Sequence, residues 1–210
     1  MNQVVREHHV RMARPRARLD LAVLADAFAA DGLHGISAAE LAQRLGVAKP
    51  TLYVHGTSKD SLFLLAVEAE VERVVDRLHG AERAAAGRTA RDRATAAVRA
   101  LLDHAAARPA GARLLHRTAH HESSTVADDV RAAVRRVPDR MAETLRRDLS
   151  ADGLDPALAP FLARALHAGA HALAEVRPGE RRPARAVLAA TLAEIVPLPQ
   201  APGPEDWPTA

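Results

Sequence analysis

Aromatic side chains make up only 2% of this 210-residue chain, while hydrophobic residues as a whole make up 48%. The chain is therefore apolar enough to fold, but its core has to be assembled from Ala, Leu and Val. Alanine is the strongest helix former, whereas strands favour aromatic and β-branched residues. The composition predicts an all-α fold.

Several other classes of protein are excluded by what the sequence lacks. The chain has no cysteine, which excludes disulfide scaffolds, thiolate zinc sites and cysteine nucleophiles. No apolar stretch reaches the roughly 18 residues of a membrane span, and the first residues lack the apolar centre of a signal peptide. We expect a cytoplasmic protein that has no membrane partner.

Apolar residues recur at helical spacing through most of the chain and predict about nine helices. Three short helices come first, and the first of them is expected to end at Gly32. A long connector helix follows, capped by Thr57 or Ser58, and its two apolar sides indicate contact with two different bodies. Five more helices lie beyond it, one of them kinked at Pro138, and the last opens at Pro183.

The sequence divides into regions of different character. Residues 1–18 form a basic arm in which five arginines accompany one glutamate. Such an arm is a common phosphate-binding device, although a solvated tail is the simpler interpretation of the arm alone. Residues 19–64 form a small helical unit and residues 65–196 a larger one. Residues 197–210 are rich in proline and are expected to be disordered.

A tight glycine turn joins the second and third short helices and makes them a helix-turn-helix candidate. Ser37 and Glu40 have the spacing of a capping box at the start of the second helix. Gly46 supplies the left-handed turn that ends it, and Val47 is expected to fill the space between the two helices. The third helix begins with small or polar residues, whereas Leu52 should face inward. Such a helix start suits entry into the roughly 12 Å wide major groove of DNA, with backbone N–H groups directed at phosphates.

The run from Ala39 to His55, with Ser58 to Leu62 behind it, closely resembles the DNA-binding segment of TetR (tetracycline-repressor) family regulators. The shared pattern L-A-Q-x-L-G-V-x-x-P-T-L-Y-x-H is long and specific. The resemblance covers residues 19 to 70, and beyond them it extends only to the number and length of the helices. Gly56 departs from the family pattern, since many members carry an aromatic or large apolar residue there.

The resemblance implies a homodimeric transcriptional regulator, usually a repressor. Residues 19–64 would be its helix-turn-helix DNA-binding domain, and residues 65–196 its ligand-binding and dimerisation domain. A small molecule in the core would shift the short sixth helix, near Pro109 to Arg117, push the connector helix and release a palindromic operator. The implied partners are double-stranded operator DNA, a second copy of the chain and a small-molecule effector of unknown identity; no cofactor is implied.

By position in the family's motif, contacts with bases or phosphates fall in and around the third helix. Lys49 and Thr51 are expected nearest the bases, and Tyr53, His55 and Lys59 at phosphates. Together with the last arginine of the basic arm, the candidate DNA-contacting residues are Arg18, Ser37, Ala38, Ala48, Lys49, Pro50, Thr51, Tyr53, His55 and Lys59.

The helix that begins near Asp155 supplies an independent argument for dimerisation. Its apolar stripe from Leu158 to Val176 is expected to face the chain's own core. The opposite face carries small residues and histidines rather than the charges of a solvated surface, which favours close approach of a partner helix. The predicted interface residues are Ala163, His167, Ala170, His171, Ala174, Leu188 and Leu192.

The faces of the core helices predict an aliphatic effector pocket with histidines for polarity. Phe161 is its single aromatic candidate, so the pocket is not expected to stack planar drugs. A large empty cavity in the core would favour control by a small molecule. A filled core would favour a helix-turn-helix protein that takes no small ligand and responds to a protein partner or to its own concentration. The candidate lining residues are Leu101, His104, His116, His120, Met141, Leu145 and Phe161.

Two histidine pairs, His116 with His120 and His167 with His171, have the spacing that places two imidazoles on one side of a helix. This spacing alone is poorly specific, and a polar helix end or a packed interface explains it, so we predict no metal site. A metal-dependent helical enzyme is the least favoured alternative. The sequence has no acid or base at a defined spacing, no glycine-rich phosphate loop and no nucleophile motif, and we predict that the chain is not an enzyme.

Overall fold

The computed structural model describes residues 19–118, 125–151 and 153–175, and the regular structure within these ranges is entirely helical. This confirms the predicted all-α fold. The basic arm, the helix predicted to open at Pro183 and the proline-rich segment lie outside the described residues. The helices are α1 Leu21–Gly35, α2 Ala38–Arg44, α3 Lys49–His55, α4 Lys59–Ala84, α5 Ala90–Ala107, α6 Pro109–Thr118, α7 Ala127–Ala151 and α8 Ala159–Glu175, with a 3₁₀ turn over Pro156–Leu158 before α8.

Local side-chain bonds start the first two helices. The Asp20 carboxylate accepts the backbone N–H of Ala22 at 2.9 Å and so caps α1. In the predicted capping box of α2, Ser37 Oγ accepts the Glu40 N–H at 3.2 Å, and the Glu40 carboxylate accepts the Ser37 N–H at 2.8 Å. Gly32 has a φ of 75° and interrupts α1 near the predicted end, although one further turn continues to Gly35.

The turn between α2 and α3 is a Schellman motif. Gly46 has a φ of 63°, which a glycine adopts without steric cost. Its N–H donates to the Gln43 carbonyl at 3.1 Å, while the Val47 N–H donates to the Ala42 carbonyl at 3.0 Å. Val47 is partly buried against the core. The predicted glycine turn is confirmed, and it fixes the angle at which α3 leaves α2.

Helix α4 is the longest helix that the structure describes, and it contacts helices from both halves of the chain. Its N-cap is Ser58, one of the two predicted candidates, and the helix then runs through Gly80 to Ala84 without interruption. It packs against α1 on one side and against α5 and α7 on the other, which confirms the prediction of contact with two bodies. The boundary proposed between residues 64 and 65 therefore falls inside one continuous helix.

Arginine–carboxylate pairs fasten α7 to its neighbours. The Asp148 carboxylate on α7 accepts hydrogen bonds from two nitrogens of Arg93 on α5. The shorter of these two contacts is 2.5 Å. Glu82 on α4 pairs with both Arg140 and Arg147 of α7. Burial disfavours the charged form of Glu82, but the hydrogen bond from Arg147 and the charge of Arg140 outweigh it, so the pKa of Glu82 is lowered. Helix α7 continues as one element across Pro138.

The structure corrects part of the predicted orientation of α8. Leu162 and Leu166 of the predicted stripe do face the core, but the other side of the helix does not follow the prediction. Ala163 and Ala170 are 0% and 4% exposed and lie in the chain's own core, so they do not form a partner-facing surface. Leu158 was predicted to face the core but is 38% exposed. The physical reason is that the small residues of α8 allow close approach of α7 and α5 within the same chain. The outward face carries Phe161, Ala165, Ala168 and Ala172, and the exposed Arg164 lies among these apolar residues.

Buried side chains from every described helix form one continuous core. Aromatic packing within it is confined to Phe28 and Phe63, whose rings meet edge to face with centroids 5.1 Å apart. Within the ranges that the structure describes, no helix combines the length and hydrophobicity needed to cross a bilayer.

Candidate nucleic-acid interface and core sites

Helix α3 presents its first turn to solvent. Lys49 and Pro50 are exposed, and the N-cap residue Ala48 provides no side-chain acceptor for the first N–H groups of the helix. Tyr53 is 38% and Val54 62% exposed on the following turn. These features leave side chains of α3 available to an anionic partner such as duplex DNA. The backbone contributes less, because Pro50 has no N–H and the Thr51 N–H already donates to the Ala48 carbonyl at 2.8 Å.

The inner side of α3 is anchored to the domain. Leu52 is 0% exposed, as the sequence predicts. At Gly56, which ends the helix, an added Cβ would lie 2.9 Å from Leu62 Cδ2. A larger residue at this position would therefore require Leu62 to shift, and the glycine that departs from the family pattern allows Leu62 its close approach.

The remaining candidate DNA contacts surround the start of α3, but two of them also serve the fold. Ser37 Oγ is occupied as the cap of α2. Lys59 Nζ donates to the Ile36 carbonyl at 3.1 Å and ties the start of α4 to the link before α2. Ala38, Thr51 and His55 are partly buried beside them, and Arg18 lies outside the described residues.

The candidate pocket residues do not line one common cavity. Leu101 and His104 border a first cavity of about 20 Å³, whereas Met141 and Leu145 border a second cavity of about 20 Å³. Each has room for about one water molecule. Phe161 is 69% exposed on the outward face of α8, so its predicted place in the pocket is wrong. His120 lies outside the described residues.

Two histidines of α8 also line the first cavity. His167 Nε2 and His171 Nε2 are 3.0 Å apart, so one neutral ring donates to the other. Burial, with the nearby His171 and His116 rings, lowers the pKa of His167 to about 3. The His116 ring stacks on His171 with centroids 5.6 Å apart. No group of three or more potential metal ligands has a suitable arrangement within the described part of the chain.

A larger, open cleft of about 540 Å³ lies where α1 ends beside α6. Its apolar floor is formed by Phe28, Phe63 and Leu114, and its polar rim includes His34 and Arg117. Most of the residues that line this cleft belong to the second half of α1, between Phe28 and Gly35.

A buried charge cluster connects α4 with the end of α5 and was missed in the sequence. The Glu70 side chain of α4 is 0% exposed, and its Oε1 accepts from Arg108 at 2.5 Å and from Arg73 at 2.8 Å. His104 Nε2 of α5 is 3.6 Å from Glu70 Oε2. Burial lowers the pKa of His104 against the opposing charge of Glu70, and the hydrogen bond to Glu70 raises the pKa of Arg108. A glutamate at helical core spacing beside Val67 was the signal that could have revealed the cluster.

Known proteins resemble this chain in the sequence of its first helices and in the fold of the chain. The sequence profile described as bacterial regulatory proteins, tetR family, matches residues 21–66. The HTH-type transcriptional activator FasR of Mycolicibacterium smegmatis is 31% identical over 139 residues. That match covers 66% of this chain and 63% of FasR, so the chain spans less than two thirds of that relative.

Two solved structures share the fold at low sequence identity. One is the transcriptional regulator FadR from Bacillus subtilis in complex with stearoyl-CoA, with a TM-score of 0.68, 13% identity, and coverage of 83% of this chain and 94% of that one. The other is AibR in complex with isovaleryl coenzyme A and operator DNA, with a TM-score of 0.60, 18% identity, and the same two coverages of 83% and 94%.

Proposed function

Because this chain belongs to the TetR family of bacterial transcriptional regulators, we propose that it binds a palindromic operator as a homodimer and represses transcription. The observation that carries the proposal is the exposed first turn of α3, held in place by the buried Leu52. We propose residues 19–64 as the DNA-binding domain and residues 65–196 as the regulatory and dimerisation domain. Since the relative FasR is named an activator, transcription in vitro should be measured with and without the protein, so that both repression and activation can be detected.

In the proposed complex, α3 lies in the major groove. Lys49 and Thr51 are nearest the bases, while Tyr53, His55 and Lys59 contact phosphates. Support comes from the exposure of Lys49 and Tyr53 on one side of a helix whose other side is buried. Lys59 contacts phosphate while keeping its bond to Ile36, because an ammonium group has three donors.

The second subunit is proposed to pack on the outward face of α8. This face carries Phe161, Ala165, Ala168 and Ala172, and Phe161 is 69% exposed in the single chain. This stripe is mainly apolar, although the exposed Arg164 lies within it. It supports an isologous interface, in which two copies of the same face pack together. The sequence pattern adds three further candidates to this proposed interface, namely Ala174, Leu188 and Leu192.

Control by a small molecule is supported by the relatives and opposed by the packing. FadR and AibR are crystallised with acyl-CoA molecules, which makes acyl-CoA compounds the first class to screen. The core cavities near His104 and Met141 hold about 20 Å³ each, so an effector must open the core or enter the larger cleft beside α6. This close packing favours a second candidate function, a DNA-binding regulator that takes no small ligand.

The decisive experiment is selection of a duplex from a random-sequence pool by the purified wild-type chain. Lys49→Ala is then expected to weaken binding of the selected duplex at least tenfold without changing the melting temperature, because one good base contact contributes about 1–3 kcal/mol. Arg99→Ala removes one exposed positive charge from α5 and is the matched control. Equal affinity of Lys49→Ala and wild type would contradict the proposed role of α3.

A further inference from the structure

Arg108 occupies the corner at which α5 ends and α6 begins. It is the C-cap of α5, and the next residue, Pro109, starts α6. Its Nη2 atom contacts two carboxylates from different helices, Asp26 Oδ1 of α1 at 3.1 Å and Glu70 Oε1 of α4 at 2.5 Å. One guanidinium group therefore links this corner to the first helix of the DNA-binding unit and to the connector helix.

The two carboxylates are unequal partners. The Glu70 side chain is 0% exposed, so separating it from Arg108 would leave a poorly compensated buried charge. The Asp26 side chain is 49% exposed, and an ion pair of that kind adds little to global stability. Glu70 consequently fixes the position of the guanidinium, and Asp26 attaches α1 to it.

The start of α6 is packed onto the same centre. Gly111 lies so close to Glu70 that an added Cβ would be 2.5 Å from the carboxylate carbon. Helix α6 therefore cannot move towards α4 without displacing Glu70. If α6 moves away, it carries Arg108, which precedes Pro109 directly in the chain.

We propose that Arg108 is a positioning residue for DNA binding, which holds α1 through Asp26 and α4 through Glu70 in a fixed arrangement at the α5–α6 corner. This inference rests on the proposed function, because α1 to α3 carry the proposed DNA surface. It assigns a regulatory role to an ion-pair bridge whose three residues all lie outside the candidate DNA-contacting set.

The main test is Asp26→Asn, with the affinity for the duplex selected by wild type as the readout. Loss of the Asp26 charge weakens the attachment of α1 to Arg108, whose Nη2 keeps only its 3.5 Å contact with the Ala22 carbonyl on that helix. This is expected to weaken binding about three- to tenfold, a typical effect for residues that transmit coupling. Removing a negative charge near DNA has the opposite electrostatic effect and strengthens binding. A weaker complex therefore supports the bridge, whereas unchanged or tighter binding overturns it.

Glu72→Gln is the matched control. Glu72 lies on α4, the same helix as Glu70. Its side chain is 54% exposed, similar to that of Asp26, and it pairs with Arg136 of α7 at 2.5 Å. The substitution removes the same charge and one interhelical ion pair, but it leaves α1 attached. We expect duplex affinity within about twofold of wild type, and a loss equal to that of Asp26→Asn would overturn the specific role of the bridge.

A second variant tests whether Asp26 acts through Arg108. Glu70→Gln combined with Arg108→Gln removes both charges of this pair together, so neither of them faces a missing partner. Arg73 also loses Glu70 as a partner, but its side chain is 35% exposed and reaches solvent. Adding Asp26→Asn to this double variant is expected to cause no further loss of affinity, whereas multiplicative losses overturn the proposal. If the double variant does not fold, the Asp26→Asn result stands by itself.

Amide hydrogen exchange separates this inference from the proposed function, because it needs no DNA. In the free protein, Asp26→Asn is expected to speed exchange in α1 about three- to tenfold while Glu72→Gln does not. Faster exchange without any duplex selected by wild type would support the bridge and refute the DNA-binding proposal. Unchanged exchange in α1 overturns the bridge whether or not DNA binds.

Discussion

Gly111 of α6 lies directly against the carboxylate of Glu70 on α4. A Cβ atom added at Gly111 would be 2.5 Å from Glu70 Oε2, a distance that real Cβ contacts do not show. The two elements meet without a side chain between them at the buried charge cluster. Glycine is required at this position by the close approach of Glu70, and not by an unusual backbone conformation, since Gly111 lies within a regular helix.

Gly111→Ala is expected to lower the free energy of unfolding by about 1–3 kcal/mol, because the methyl group displaces a carboxylate that Arg108 and Arg73 hold. Gly80→Ala in α4 is the control, since an added Cβ there has no neighbour within 4 Å. It should stabilise the protein by about 0.4–1 kcal/mol. Urea denaturation of both variants measures the difference, and a stabilised Gly111→Ala would contradict the close contact.

Lys59 combines a structural bond with a proposed phosphate contact, and the two roles can be separated. Lys59→Gln keeps a donor near the Ile36 carbonyl but removes the positive charge. The melting temperature should change little. The slope of log affinity against log salt should become shallower by about 1.8, because each subunit of the proposed homodimer loses one phosphate contact and each contact contributes about 0.9. Titration of the selected duplex at several salt concentrations provides the measurement, and an unchanged slope would exclude the phosphate contact.

The features predicted correctly from the sequence are local ones. The capping box of Ser37 and Glu40 and the turn at Gly46 depend on bonds between residues at most five positions apart. The charge cluster could not be predicted in this way, because Arg108 lies 38 positions from Glu70 and 82 from Asp26. Only the packed fold brings these residues together.

The orientation of α8 was predicted only in part, for a related reason: Leu166 is buried as predicted, but Ala163 and Ala170 are buried as well. Two of its faces are apolar, so hydrophobic periodicity does not decide which one is buried. The choice depends on α5 and α7, which accept Ala163 and Ala170 and leave Phe161 outside. An alanine stripe therefore predicts close helix packing without identifying the partner helix.

If two chains associate through the outward face of α8, a single negative charge introduced on that face should disrupt the dimer. Phe161→Asp is expected to convert a dimer to monomers at micromolar concentration, because it places a carboxylate in the middle of an apolar interface. Arg99→Asp on α5 controls for the altered charge at an exposed position. Sedimentation velocity distinguishes the two species, and an unaltered dimer in Phe161→Asp would locate the interface elsewhere.

His167 predicts a loss of stability in mild acid. Its pKa of about 3 in the folded protein lies below the ordinary value of 6.5, so the unfolded chain binds the proton more tightly. The contribution of the neutral His167 to the free energy of unfolding is therefore fully present above pH 6.5. It is lost progressively as the pH falls from 6.5 towards 3. Between pH 7.5 and pH 5, this one group should lower the free energy of unfolding by about 2 kcal/mol.

His167→Gln should remove most of that pH dependence, because glutamine does not titrate. His104 contributes in the same direction, since burial also lowers its pKa, so a smaller slope is expected to remain in the variant. Glu82 does not interfere, because its stabilisation is lost only below pH 4.5. Denaturation curves at pH 7.5 and pH 5 for wild type, His167→Gln and the exposed-site control His34→Gln provide the comparison. If His34→Gln reduces the dependence as much as His167→Gln, the buried imidazole pair on α8 is not its source.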